Sequence, residues 1–393
     1  MNRDDFRAGL TTDLPRVFAL DPRALAEVKT KIAAGDHSFD APLAQLTHEA
    51  DCALGEGPWS VVDKLVVPPS GDKHDYLSLA RYFWPDPSKP DGLPYIARDG
   101  EVNPEIWTIP DHKNFDTLMD NVLTLGLVYY FSGEERYAEY TARLMRVWFL
   151  DDATRMNPHL NFTQGVRGES AGRNAGIIET RELAQVVDAI GLLAGSKAWT
   201  EDDQRGMTEW CVRFLDWLLN SDLGRKEAKQ RNNHGTFYDA QVVALAFFVG
   251  ADAVARKFLQ HATTERIPQQ IEANGIQPFE LARTIAWHYH VFNLQALYRL
   301  ASFGERVRLD IWNFATSDGR SLRAATDFLV PYVEGKPWGY PQITPQEFGV
   351  AFFLLCQAAD KLRYEKYFRA ALKAPGVNAA TQRAYLILNL TPR

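Results

Sequence analysis

The chain of 393 residues is poor in cysteine: Cys52, Cys211 and Cys356 are the only three, they lie far apart, and no C-x-x-C pair occurs. This excludes a disulfide framework and a thiolate metal cluster, leaving the three as small core or surface residues. Long apolar runs are missing too. A run such as 242–249, VVALAFFV, falls well short of the roughly 20 residues that span a bilayer, so no membrane-inserted helix is expected. A basic surplus is also absent: 43 Lys plus Arg against 50 Asp plus Glu leave a net charge of −7, which argues against a nucleic-acid-binding surface. The chain has no H-E-x-x-H, no G-x-S-x-G, no G-x-x-x-x-G-K-[ST], and no G-x-G-x-x-G following a strand. Metalloprotease, α/β-hydrolase, P-loop and dinucleotide-binding chemistry therefore drop out. The N-terminal MNRDDFRAGL lacks the apolar stretch of a signal peptide, which leaves the compartment undetermined at this level.

What the chain does have is an ordinary globular balance, 46% hydrophobic and 24% charged, with enough apolar surface for a large core. From about residue 116 onward, apolar residues recur at helical spacing, as in Leu183, Val186, Val187, Ile190 and Leu193, or Met207, Trp210, Cys211, Phe214 and Leu218. Further helices are expected over 116–131, 135–149, 238–249, 252–273, 279–302, 321–333, 344–360 and 364–372. Breakers such as Ser132-Gly133, Gly195-Ser196, Gly224, Gly250 and Gly275 separate them, while period-two strands are almost lacking. Successive helices joined by short turns, without a solenoid repeat of about 34–40 residues, predict an all-α, curved α/α toroid in a single domain. Residues 66–110 differ. Eight prolines, from Pro68 to Pro110, crowd a stretch rich in Tyr, Trp, Asp and Gly, and so long a loop predicts a lid or cleft wall.

Three segments set polar, ring-bearing and cationic groups side by side: 161–174 (NFTQGVRGESAGRN), 231–238 (RNNHGTFY) and 283–293 (RTIAWHYHVFN). In the first, the glycines read as a polar turn that places Arg167, Arg173 and Asn174 toward a cleft. In the second, Asn232, Asn233 and His234 precede a glycine and a helical stretch, which suits a helix N-terminus favouring an anion. The plainer reading is that Asn233 caps that helix. In the third, Arg283, Trp287 and His290 share one helical face, with His288 and Tyr289 rotated away; the plainer reading is a partly buried aromatic surface. His288 and His290 point about 200° apart on a helix, so no metal site is expected. A set rich in Arg, Asn, His and Tyr suits holding an anion and removing a carbon-bound proton.

The combination of KHDYLSLARYFWPDP (73–87), NFTQGVRGESAGRNAGIIET (161–180), NNHGTFYDAQ (232–241) and ELARTIAWHYHVFN (280–293) resembles the alginate-lyase superfamily of polysaccharide lyases. It is most similar to the branch called polysaccharide lyase family 38, whose members act on alginate or glucuronan. The resemblance runs over roughly residues 60–360. It implies an α/α toroid of about six to seven helical hairpins and cofactor-free, metal-independent β-elimination on a 1,4-linked polyuronate. An anionic polysaccharide would be the partner, and a bacterial periplasmic or secreted location would follow. It further implies that Asn174, Asn233 and Arg283 offset the uronate carboxylate and that His234 and Tyr289 are the catalytic pair.

Where H5 and O4 are syn, as in mannuronate and glucuronate, Tyr289 would serve as base and then acid. In guluronate His234 would be the base and Tyr289 the acid. A tyrosine ordinarily ionises near pH ~10, so Arg283 is expected to favour the phenolate. Lys73, His74, Tyr76, Gln164, Arg167, Arg173, Asn232, Trp287, His288 and His290 are the candidate substrate-binding residues, with Arg225, Lys226, Lys229 and Arg231 as further cations. Tyr82, Phe83 and Trp84 would stack on sugars or form a lid, or pack beneath the loop. Two alternatives remain open. One is a glycoside hydrolase using a carboxylate pair drawn from Asp75, Asp120, Glu169 and Glu280, and the other is a noncatalytic glycan-binding protein.

Overall fold

The structure, a computed structural model, describes residues 14–390; the N-terminal segment read above for a signal peptide lies outside them. Two helices that apolar periodicity did not bring out come first, α1 (Pro22–Ala33) and α2 (Asp40–Ala53). A local signal for α1 was present, because Asp21 caps the amides of Arg23 and Ala24 and proline fills the first turn. Next come α3 (Asp111–Ser132), stopped by Gly133 at φ +74°, and α4 (Glu135–Met145), which runs into a wide π turn at Arg146–Leu150. Then follow α5 (Leu183–Leu192), α6 (Glu201–Asn220), started by a Thr200–Asp203 capping box, and α7 (Asp222–Ala228). The second half holds α8 (Asn233–Phe248), α9 (Asp252–His261), α10 (Ile267–Gln270), α11 (Pro278–Leu281), α12 (Ala286–Arg306), α13 (Leu322–Val333), α14 (Gly349–Lys361), α15 (Glu365–Ala371) and α16 (Ala384–Ile387).

Helices α3, α5, α8, α12 and α14 pack one against the next as an inner row. Helices α2 and α4 back α3, α6 and α9 back α8, and α13 and α15 back α14. This two-layered curve of helical pairs is an α/α toroid, and one hydrophobic cluster runs through it from Val17 to Ile387. Helix α8 is its axis. Every residue from Asn233 to Phe248 is buried except His234, as expected of a helix that is apolar nearly all round.

Two expected helices are interrupted. The 252–273 span bends through a π turn at Ala262–Arg266, and the 279–302 span splits into α11 and α12 across residues 282–285. Arg283 therefore stands before α12 rather than on one face with Trp287 and His290.

The proline-rich region also departs from an irregular loop. It carries β1 (Leu77–Leu79), β2 (Phe83–Trp84) and β3 (Ile96–Ala97); β2 and β3 pair with each other, and β1 runs parallel to β4 (Phe162–Gly165). Isolated pairs this short were invisible to a period-two search, which needs about 4–8 residues to register. No described helix is long and apolar enough to cross a membrane.

Residues 16–20 cross the end of α5 as a strap. The Asp188 carboxylate, fully buried, accepts the backbone N–H groups of Phe18, Ala19 and Leu20. Gly191 makes the close approach possible, because a Cβ there would stand 2.0 Å from the Arg16 carbonyl oxygen. Gly191→Ala should accordingly lower stability by about 1–3 kcal/mol, measured as a lowered denaturation midpoint with unchanged slope.

Candidate active site

The N-terminus of α8 organises the site. Asn232, not Asn233, is the cap, and its side-chain oxygen accepts the His234 amide. Asn233 is fully buried and turns inward: its backbone N–H and its Nδ2 both donate, at 2.7 Å each, to the two oxygens of Glu280 in α11. Expected to touch the uronate carboxylate, Asn233 presents no open surface; its place is that of a strut between α8 and α11. Glu280 is 1% exposed, and burial pushes its carboxyl up to about 7 despite the two Asn233 donors and the charges of His234 and Arg283.

His234 is the one residue of α8 that reaches the surface. Its Nδ1 lies 2.7 Å from Glu227 Oε1 in α7, and Glu227 Oε2 accepts Nδ2 of Asn174 at 2.8 Å. One buried carboxylate thus fixes both the imidazole and the Asn174 amide. Because a carboxylate is an acceptor, Nδ1 is the donor in this contact, and in the neutral ring that leaves Nε2 as the acceptor.

The other half of the site is built by the turn between α11 and α12 together with the proline-rich region. Arg283 donates Nε to Asp99 at 2.9 Å, and Asp99 also takes the Thr284 amide at 2.9 Å. Burial alone would raise Asp99, but these donors hold its carboxyl below the usual range. Gly100 lets the two segments meet: its φ is +79°, and a Cβ would fall 2.4 Å from Thr284 Oγ1.

From this anchor Arg283 Nη2 donates to the Tyr289 hydroxyl at 2.8 Å, with the guanidinium 3.7 Å above the ring, and Tyr289 donates to the Tyr82 hydroxyl at 3.0 Å. Burial pushes the Tyr289 phenol well above its ordinary value, further than Arg283 lowers it. Arg283 thus acts in the expected direction, toward the phenolate, but burial and Tyr82 outweigh it and hold the unliganded group as the phenol. The 66–110 segment, through Tyr82 and Asp99, forms a wall of the site.

Arg173 joins this region. Its guanidinium lies 4.7 Å over the Phe83 ring, reaches Gln164 Oε1 at 3.3 Å and leaves Nε buried without a partner. Gln164 holds a left-handed backbone, φ +47°, a strained conformation for glutamine. His288 is exposed, stacks on Phe292, and is kept below its usual value by desolvation and by Arg81, Arg181 and Arg283 around it. Arg81 and Arg181 were missed by the sequence reading, although Arg81 sits inside one of the motifs. Glu227 and Asp99 were likewise not assigned, and Tyr82 was read only as a sugar-stacking or lid residue, because only the fold shows that they touch His234, Arg283 and Tyr289.

Several expected site residues lie elsewhere. Tyr76 is fully buried with its hydroxyl on Glu179, Trp287 is buried with Nε1 on the Glu347 carbonyl, and His290 is buried with Nδ1 beside Gln277. None can meet a polymer, since each is enclosed in the core. His74 holds the Arg155 carbonyl, Lys73 is exposed beside Val62, Arg167 pairs with Glu105, Arg225 with Asp222, and Arg231 bonds Gln269. The four carboxylates considered as a hydrolytic pair do not converge: Asp75 is occupied by Ser70, Asn157 and His159, Asp120 lies near Arg383, Glu169 is on an exposed turn, and Glu280 serves Asn233.

Comparison with known proteins places this toroid, with its arginine-held tyrosine and carboxylate-held histidine, among the polysaccharide lyases. The family model for alginate lyase matches residues 60–338. An alginate lyase from Bacteroides ovatus shares 38% identity over 95% of this chain and 99% of its own, with a TM-score of 0.90. Alginate lyase A1-III from Sphingomonas species A1 shares the fold at 15% identity, covering 96% of this chain and 97% of its own, with a TM-score of 0.59. A variant of A1-III complexed with tetrasaccharide aligns with a TM-score of 0.62 at 15% identity, over 97% of this chain and 98% of its own. Among proteins of curated function none matches the chain in sequence. The chain belongs to the alginate lyase family.

The buried Glu280 makes stability depend on pH. Its carboxyl titrates near 4.3 when unfolded and at about 7 in the folded protein, so its contribution is whole below the lower value and is lost as pH rises through the upper one. Glu280→Gln should flatten this decline by on the order of 1–3 kcal/mol, read as the difference between parent and variant unfolding free energies at acidic and alkaline pH.

Proposed function

We propose that the enzyme cleaves alginate, including its mannuronate blocks, by β-elimination that leaves a 4,5-unsaturated uronate at the new non-reducing end. The observation that carries this reading is the Tyr289 hydroxyl held between Arg283 and Tyr82, with His234 on Glu227 as the second titratable group of the site. The substrate's carboxylate acidifies H5 only when its own charge is offset, and Arg283 and Asn174 are the groups suited to that. Removal of H5 leaves a carbanion whose electron pair forms the C4–C5 double bond as the C4–O4 bond breaks. The departing O4 takes its proton from Tyr289.

The neutral phenol and the free Nε2 of His234 support Tyr289 as acid in every case. With guluronate, His234 is the base. With mannuronate, where H5 and O4 share a face, substrate entry must bring Tyr289 to the phenolate before it takes H5, and Arg283 over the ring stabilises that anion. Glucuronan has the mannuronate configuration at C4 and C5, so the same groups serve it, and discrimination rests on contacts at C2.

Incubation with polymannuronate, polyguluronate and glucuronan should raise the ultraviolet absorbance of the conjugated double bond on at least one polymer. New reducing ends without that absorbance would overturn the reading in favour of hydrolysis. Tyr289→Phe should slow every susceptible polymer by about 10²–10⁴-fold, whereas His234→Ala should do so on polyguluronate and cost distinctly less on polymannuronate. Glu227→Gln should resemble His234→Ala, because a glutamine loses the charge that fixes the imidazole; a fall of less than about tenfold on polyguluronate would exclude that positioning role.

A further inference from the structure

A cavity of about 1390 Å³, lined by both charged and apolar side chains, opens at the far end of the inner helices, between residues 16–23, the ends of α8 and α12, and α14. Phe247 lines it 13 positions after His234 on α8, and Arg306 lies 17 positions after Tyr289 on α12, so it stands roughly 20–25 Å from the site described above. Its charge is not balanced internally. Arg299 is matched by Glu182 and Lys361 by Asp21 and Glu305. Arg16 and Arg306 have no carboxylate within ion-pairing distance among the described residues; they donate instead to the carbonyls of Phe248 and Val17.

Both guanidiniums stack on the same ring, Phe18, at 5.3 and 4.9 Å, and burial together with their mutual repulsion weakens the hold of Arg16 on its proton. Asp188 and Asp252 both act on the charge of Arg306, but Asp188 is already taken by the strap amides and neither forms an ion pair with the guanidinium. Two exposed guanidiniums held over one ring, with no ion-paired carboxylate among the described residues, present a positive pair at the cavity wall that an anion can bridge. At the mouth, Arg23 and Arg256 are exposed and add positive charge. The lining also offers hydroxyl-binding groups, Gln185, Gln295, Gln357 and Ser302, and the Gln185 Oε1 is buried without a hydrogen-bond partner.

We propose that this cavity is a second, noncatalytic binding site for a carboxylated oligosaccharide, with its acid group on Arg16 and Arg306 and its hydroxyls on the amide side chains. The guanidiniums supply bidentate oxyanion recognition, the amides match sugar hydroxyls, and the volume admits several sugar rings. The saccharide identity rests on the function proposed above; the anion site does not.

The test uses the full chain. Titration calorimetry of the Tyr289→Phe enzyme with mannuronate trisaccharide should show two equivalents bound, and the unaltered enzyme should bind inorganic phosphate at the distal site. Arg23→Glu together with Arg256→Glu, exposed positions that touch no core, should weaken the second equivalent by at least about tenfold, leaving thermal unfolding and turnover unchanged. Arg16→Gln with Arg306→Gln should remove that equivalent altogether. Phosphate bound at the arginines with only one equivalent of trisaccharide would keep the anion site and overturn the saccharide. Phosphate binding with no trisaccharide bound anywhere would count against the proposed function instead. One trisaccharide equivalent, insensitive to the mouth charges, with no phosphate binding, would overturn the proposal.

Discussion

A helix buried around its whole circumference must find partners for its first amides inside the protein, and the contact between the Asn233 amides and the Glu280 carboxylate meets that demand for α8. Much of the site depends on it. It locks the start of α8, from which His234 projects, to α11, from whose end the chain turns through Arg283 into α12 and Tyr289. A carboxylate at a helix N-terminus is favoured by the dipole, yet burial opposes its charge. The resulting carboxyl, near neutrality, lies between the two halves of the site and feels both His234 and Arg283.

The same device recurs around it. Glu227 is fully buried and shared between His234 and Asn174, while Asp99 is shared between Arg283 and Thr284. In each case an acid orients the polar groups around it, Glu227 from full burial and Asp99 from partial burial. Pre-set orientation of this kind lowers the reorganisation that a proton transfer requires, because the dipoles already point where charge develops. It also explains why acidic residues dominate the support of a site meant for a polyanion: they stand behind the cations and amides, where they align them without meeting the substrate. The strain at Gln164, beside Arg173, belongs to the same edge of the cleft.

At the opposite end, Asp188 does for the strap what Glu280 does for α8, gathering backbone amides onto a buried carboxylate. There, however, Arg16 and Arg306 form no ion pair among the described residues. The two ends therefore differ: on the tyrosine side Arg283 is tied to Asp99 and the Tyr289 hydroxyl, whereas at the far end Arg16 and Arg306 donate to backbone carbonyls.

Sequence alone determined the helical architecture from about residue 116 onward and which segments carry polar, ring-bearing and cationic groups, because helix periodicity and motif composition are local properties. His234, Tyr289, Arg283, Asn174 and Arg173 lie in those segments, the roles of the first four being implied by the family resemblance, and the structure places them in two linked clusters. Only the tertiary structure decided which members of each motif face outward. Trp287, His290 and Tyr76 share the motifs' polar or aromatic character but point into the core, since a break at residues 282–285 shifts the helical phase and β1 pairs along β4. Asn233 turns inward for a similar reason, and the role of cap passes to Asn232. Glu227 and Asp99 were beyond reach of the sequence because their partners are 7 and 184 positions away, and a carboxylate becomes an orienting group only when folding buries it beside what it orients; Tyr82 was legible as a stacking or lid residue, but not its contact with Tyr289, 207 positions on.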